Sequence, residues 1–200
     1  MKFKLAVSLL FTLALFSYSN AGLSGLGLGI QGGLITGYDN PGLENSVLDQ
    51  YTNFELKNNM TDIGAHLKIG TLRVIEFELN ADYSWKKQNI DSTLNLTFSD
   101  FSITALVKKS VSLTSLKPYI AAGVGLHWLA YSLSLGEDVV GVYLPENKSS
   151  IGYRIKGGIE LDFPVFPFTP FVEYQYNIIS VSGDDIKYNS IIGGITLDLP

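Results

Sequence analysis

The sequence predicts an all-β fold, an eight-stranded antiparallel up-and-down transmembrane β-barrel, and three features carry that prediction. Apolar and polar residues alternate with period two through most of the chain, the mark of strands with one apolar and one polar face. The alternating segments run about 9–14 residues, longer than ordinary sheet strands and matched to a tilted membrane strand. The connections between them alternate long and short, the layout of a barrel with long outer loops and short inner turns.

The chain of 200 residues begins with Met1-Lys2-Phe3-Lys4, a positive start. Leu5–Phe16 is an apolar run of 12, too short to span the bilayer as a helix. Ser17-Tyr18-Ser19-Asn20-Ala21 then ends in a small-x-small pattern. This order is that of a secretory signal peptide, so residues 1–21 are expected to be removed before Gly22, leaving one domain over 22–200. That mature chain carries 12 Lys+Arg against 19 Asp+Glu. Nucleic acid is therefore not an expected partner, because phosphate contacts need a basic face. With no cysteine and only His66 and His127, neither a thiolate site nor a histidine-rich metal centre is expected, and no cofactor.

The strands follow in order. Gly25–Ile35 sets Leu26, Leu28 and Ile30 against Gly25, Gly27, Gly29 and Gln31. Asp62–Ile69 sets Ile63, Ala65, Leu67 and Ile69 against Asp62, Gly64, His66 and Lys68. In Val74–Trp85 the odd positions from Ile75 to Trp85 are apolar, while Glu76, Glu78, Asn80, Asp82 and Ser84 face the other way. Phe101, Ile103, Ala105 and Val107 oppose Ser102, Thr104, Leu106 and Lys108. Just upstream, Leu94, Leu96 and Phe98 are apolar on even positions, and a bulge near Ser99-Asp100 is expected to account for the change of phase. The fifth strand sets Ile120, Ala122, Val124, Leu126, Trp128 and Ala130 against Tyr119, Ala121, Gly123, Gly125 and His127. The sixth, Ile151–Phe163, opposes its odd apolar set with Gly152, Arg154, Lys156, Gly158, Glu160 and Asp162. Val172, Tyr174, Tyr176 and Ile178 oppose Glu173, Gln175 and Asn177, and Ile191–Leu199 closes the series. Long connections are expected at 36–59 and 132–150, compact ones at 70–73, 109–117 and 164–169.

Alternation alone does not say which face meets water. A soluble lipocalin-like binder and a membrane barrel share the pattern. The apolar faces here are nearly free of charge, whereas the opposite faces carry Glu76, Glu78, Arg154, Lys156, Glu160, Asp162 and Glu173. Those seven are expected to form an interior charge network, since on lipid a basic residue would cost roughly 2–4 kcal/mol near midplane. Aromatics gather towards the strand ends. Tyr83, Trp85, Phe98, Phe101, Trp128 and Tyr153 lie towards the long loops, and Phe163, Phe166, Phe168 and Phe171 towards the short turns. Lipid outside is the expected arrangement. On it, Ala122→Arg should be costly and the lumen-facing Gly123→Ser milder.

Candidate chemistry is sparse. Gly27-Leu28-Gly29-Ile30-Gln31-Gly32 matches a dinucleotide fingerprint by letter but lacks the strand before it and the helix after it. The i,i+2 carboxylate pairs Glu76/Glu78 and Glu160/Asp162 could be spaced for glycosidic chemistry. Arg154 and Lys156 offer them counter-charges, which favours salt bridges.

The stretch Phe101–His127 resembles the strand-turn-strand of small OmpA/OmpX-like outer-membrane barrels, where a Lys-Pro-Tyr turn, here Lys117-Pro118-Tyr119, leads into an alternating Gly/Ala strand. The resemblance implies an outer-membrane protein in contact with lipid and with the barrel assembly machinery. It implies a side-chain-plugged lumen and a structural or surface-interaction role, with an extracellular partner at loops 36–59 and 132–150. Some barrels of this type are lipid A deacylases or acyltransferases with a histidine–serine pair, but His127 is followed at i+2 by Leu129. The chain ends Thr196-Leu197-Asp198-Leu199-Pro200, without the terminal aromatic usual in the family. A narrow channel or small-hydrophobe transporter is the rival function.

Overall fold

The computed structural model describes residues 25–39, 60–72, 75–89, 94–111, 113–135, 148–162, 167–181 and 185–199. The expected leader, most of the two expected long loops, and Phe163 and Phe166 of the expected aromatic belt lie outside these residues. Eight strands form: β1 Leu26–Asp39, β2 Met60–Leu72, β3 Ile75–Asn89, β4 Leu94–Ser110, β5 Leu116–Leu135, β6 Lys148–Leu161, β7 Phe168–Ser180 and β8 Asp185–Leu199. Each pairs antiparallel with its sequence neighbour, and β1 closes on β8 from Leu26↔Leu199 to Asp39↔Lys187. Closure pairs the backbone of every strand on both sides, which the hydrocarbon of a bilayer requires.

The faces sort as charge demands. Outward Ile30, Ile120 and Ile155 are 70, 69 and 63 % exposed, whereas inward Arg154, Glu160 and Asn80 are 4, 2 and 0 % exposed. A water-soluble protein has the opposite distribution. On β8 the outward apolar run Ile191, Gly193, Ile195, Leu197, Leu199 covers about 20 Å of height for a tilted strand. Outward Tyr83, Phe101, Trp128 and Tyr153 line its upper part on β3–β6, and Thr61, Ser132 and Ser149 lie above them. The belt thus matches hydrocarbon below and an interface above.

Several expectations need correction. The strands are 13–20 residues long and extend further towards the long loops than the alternation indicates. The reason is a cluster of apolar residues inside the barrel at that end: Ile35, Tyr38, Met60, Phe98, Leu129, Ile179, Ile186 and Tyr188. Where both faces are apolar, period two disappears from the sequence. The same cluster removes the expected bulge near Ser99-Asp100. The β4 register runs unbroken from Leu94 to Ser110 against β5 and from Asn95 to Lys109 against β3, and Phe98 faces the lumen with Asp100. Irregularities fall elsewhere, at Gly70/Leu72 and at Thr36/Asp39, the latter containing Gly37 with φ of 60°. Two aromatics also leave the lipid belt: Phe98 joins the interior cluster, and Phe171 turns inward with its ring edge-on to His66 at 5.3 Å.

A further correction concerns Gly123. A Cβ there would lie 2.0 Å from the Ala105 carbonyl oxygen and 2.8 Å from the Leu106 Cα, both backbone atoms. Serine at this position therefore carries a backbone clash of its own, whatever its rank against Ala122→Arg. Glycine is what allows β5 to approach β4 so closely.

Candidate functional site in the barrel lumen

Inward side chains fill the barrel in layers, each built by cross-strand register. At the short-turn end Glu76 faces Lys108 across β3–β4, Lys68 faces Glu78 across β2–β3, and Lys117 faces Glu160 across β5–β6. From these positions Lys108 donates to Glu160 and lies 3.7 Å from Glu76 and 3.9 Å from Glu78. Its ammonium also sits 4.1 Å from the centre of the Tyr119 ring, a cation–π contact. Lys156 reaches across the barrel to Glu78 at 2.6 Å and to Glu173 at 3.0 Å. Tyr119 and Gln175 donate to the same Glu173. Gly158 makes this possible, because a Cβ would lie 2.7 Å from both the Tyr119 hydroxyl and the Glu173 Cβ. Lys68 pairs with Asp198 at 3.1 Å, and Thr169 donates to that carboxylate. The space among Lys68, Lys108, Lys156 and their acids holds no void large enough for a water molecule.

One layer up, Arg154 spans the lumen from β6. Its Nη1 donates to Asp82 at 2.7 Å and its Nε to the Asn177 Oδ1 at 2.7 Å. Gln31 donates to the other Asp82 oxygen at 2.5 Å. Because that carboxylate accepts, Gln31 presents Oε1 to His66 Nδ1 at 3.2 Å, and His66 Nε2 meets the Thr196 hydroxyl at 2.8 Å. The His66 ring occupies space left by Gly29, where a Cβ would lie 2.2 Å from it. Towards the long loops, Ser84 donates to Asp62 and His127 Nδ1 meets Asp100 at 2.8 Å, the His127 ring lying over Gly152. Above them lies the apolar cluster, with the Tyr38 ring 5.1 Å from Phe98 and 5.8 Å from Tyr188.

Of the seven residues singled out as a charge network, Glu78, Arg154, Lys156, Glu160 and Glu173 are buried in the lumen, and Glu76 sits at its lower edge. Asp162 does not belong with them. The β6 strand ends at Leu161, where the Asp162 amide bonds the Ser115 carbonyl, and its carboxylate pairs with Lys117 at 2.6 Å on the rim. The charge of Arg154 also goes to none of Glu76, Glu78 and Glu160. Its carboxylate is Asp82, and the three glutamates are taken by Lys108 and Lys156. Asp82, Lys108, Lys68 and Gln31 are the members that sequence reasoning passed over. Each stands on a polar face in the alternation, which was the available signal. Among the described residues no cluster of three or more His, Asp or Glu is arranged to hold a metal ion.

Against known proteins, no family model matches this sequence and no curated protein matches it. Solved structures do. Neisserial surface protein A superposes with a TM-score of 0.57 at 16 % identity, over 86 % of this chain and 96 % of that one. Ail, the attachment invasion locus protein of Yersinia pestis, solved with the heparin analogue sucrose octasulfate, gives 0.57 at 13 % identity over 88 and 99 %. The N-terminal β-barrel domain of Pseudomonas aeruginosa OprF gives 0.52 at 11 % identity over 90 and 100 %.

The fold is that of the small outer-membrane β-barrels.

In such a barrel the outward apolar belt is the lipid face, and the soluble lipocalin-like alternative falls away. That alternative would place Arg154, Lys156 and four carboxylates in a ligand pocket and leave the exposed isoleucines in water. Four cations, Lys68, Lys108, Arg154 and Lys156, each pair with lumen acids, while one oxygen each of Glu76, Asp100 and Glu160 and both side-chain polar atoms of Asn80 are buried without a hydrogen-bond partner.

Proposed function

We propose that this protein is a bacterial outer-membrane barrel with a structural or surface-interaction role, exported by the leader 1–21 and without catalytic activity. The observation that carries the reading is double closure of the lumen. An apolar cap of Tyr38, Phe98, Leu129, Ile179 and Tyr188 stands over ion pairs that leave no room for water. A lumen filled at two levels by its own side chains favours the outside as the working surface. The lipid face anchors it, and the connections 36–59 and 132–150 meet an extracellular partner. The names of two similar structures, a surface protein and an attachment invasion locus protein, support a surface role. Of the carboxylates that hydrolysis would need, Glu76, Glu78 and Glu160 are engaged by Lys108 and Lys156, and Asp162 is paired with Lys117 on the rim.

Planar-bilayer recording of the refolded mature chain tests this. The expected trace has no channel steps. Single-channel steps that vanish on removal of the protein would replace this reading by the narrow-channel one.

A further inference from the structure

The lipid face is not uniformly filled. Across β3–β6 it carries a groove of about 230 Å³, lined by Leu79, Ile103, Ala105, Val124, Leu126 and Ile151. Register explains its shape. Leu79, Ala105 and Val124 are cross-strand neighbours, so the one-carbon side chain of Ala105 forms a floor between two larger residues. In the next row Ile103, Leu126 and Ile151 carry the depression diagonally towards the long-loop end. One row further stand Tyr83, Phe101 and Trp128, again cross-strand neighbours, with the Phe101 and Trp128 rings 5.5 Å apart. The groove thus lies within the hydrocarbon belt and points at the aromatic ring where that belt ends.

We propose that this groove seats one acyl chain of an outer-leaflet lipid, whose head group lies beside Trp128 and Phe101. The inference rests on the reading of the chain as an outer-membrane barrel. Apart from Gly125 the lining consists of aliphatic side chains, so its occupant is hydrocarbon. A space of about 230 Å³ matches a short stretch of one chain and is too small for two. Packing supplies the preference. In a bilayer, apolar surfaces compete only by van der Waals contact, and an unfilled dent leaves its walls without partners on one side. The orientation follows from the aromatic row, since amphipathic rings sit at head-group level. Continuity with the lipid face decides the source: the groove opens onto the belt and towards the end bearing the long loops, which faces the outer leaflet.

Trp85 and Trp128 are the two tryptophans of the chain, so Trp85→Phe makes Trp128 a reporter at the upper end of the groove. The mature protein with this change is reconstituted in phosphatidylcholine vesicles containing a rising fraction of lipid brominated at mid-chain. Ala105→Phe fills the floor and Val124→Ala deepens it; folding of each is checked by heat-modifiable gel mobility. At low brominated fraction, quenching of Trp128 should be about twofold stronger in the parent than in Ala105→Phe, the scale of a few added dispersion contacts. Val124→Ala should quench at least as strongly as its parent. Equal quenching in the parent and Ala105→Phe overturns the groove. So does weaker quenching in Val124→Ala, which decides the matter alone if Ala105→Phe does not fold. Absence of quenching in every protein at full bromination is a different failure, that of the membrane reading itself.

Discussion

Replacing Arg154 by Met removes the cation of the middle layer and keeps most of its volume. The guanidinium is 4 % exposed and makes two hydrogen bonds of 2.7 Å, one to the Asp82 carboxylate and one to Asn177. Hydrogen bonds involving a charged group are worth about 1.5–3 kcal/mol each. Stranding Asp82 beneath the apolar cap adds the penalty of an unpaired buried charge, so the loss should be about 3–5 kcal/mol, the range for breaking a buried pair. Urea-dependent folding into phospholipid vesicles, followed by heat-modifiable gel mobility, measures it. Asp82→Asn in the Arg154→Met background should recover about 1–3 kcal/mol, because the two residues act as a unit. Glu78→Gln should recover less, since Glu78 belongs to Lys156 at 2.6 Å. A loss below about 1 kcal/mol, or a coupling to Glu78 as strong as that to Asp82, would refute the layered pairing.

Other substitutions probe other parts of the account. Ala122→Arg, outward on β5, should cost about 2–4 kcal/mol in the bilayer, whereas Ala122→Leu should be near neutral; equal effects in the same folding assay would argue against lipid contact. Gly123→Ala should destabilise by more than Ala122→Leu, because its Cβ meets the Ala105 carbonyl at 2.0 Å, and a neutral result would refute the close β4–β5 approach. Thr114, in the turn between β4 and β5, has a φ of 57°. Thr114→Asn should stabilise by about 0.5–1 kcal/mol, since asparagine tolerates this left-handed region where a β-branched residue is strained; a lower midpoint would contradict it. Phe98→Ala should cost about 3–5 kcal/mol as a large buried ring is lost from the cap, a loss readable by thermal gel shift.

The lipid face was legible because its rule is local. Val124 and Leu126 point outward for the same reason that Gly125 and His127 point inward, and strand parity tells them apart without knowledge of the neighbours. The outer third of the lumen was not legible. Phe98 and Tyr188 are inward and apolar, so near them both faces read alike and the alternation stops or changes phase. Partner choice was hidden for another reason. Arg154 and Asp82 lie on β6 and β3, across the barrel, and their meeting depends on the shear of the closed sheet and on the length of the arginine. Asp162 shares the parity of Glu160 and differs only in lying past the last paired residue of its strand, a boundary that a turn sets and alternation does not.

The inside-out arrangement of the barrel is the claim on which the rest depends. The chain has no cysteine, so single cysteines at Ile120, Ala122, Val124 and Leu126 can each carry a nitroxide spin label without background. In reconstituted vesicles, collision with lipid-soluble oxygen should dominate at all four positions, and collision with a water-soluble nickel chelate should dominate at Ser132, above the belt. Nickel contact exceeding oxygen contact at the four β5 positions would mean that water, not lipid, surrounds the barrel.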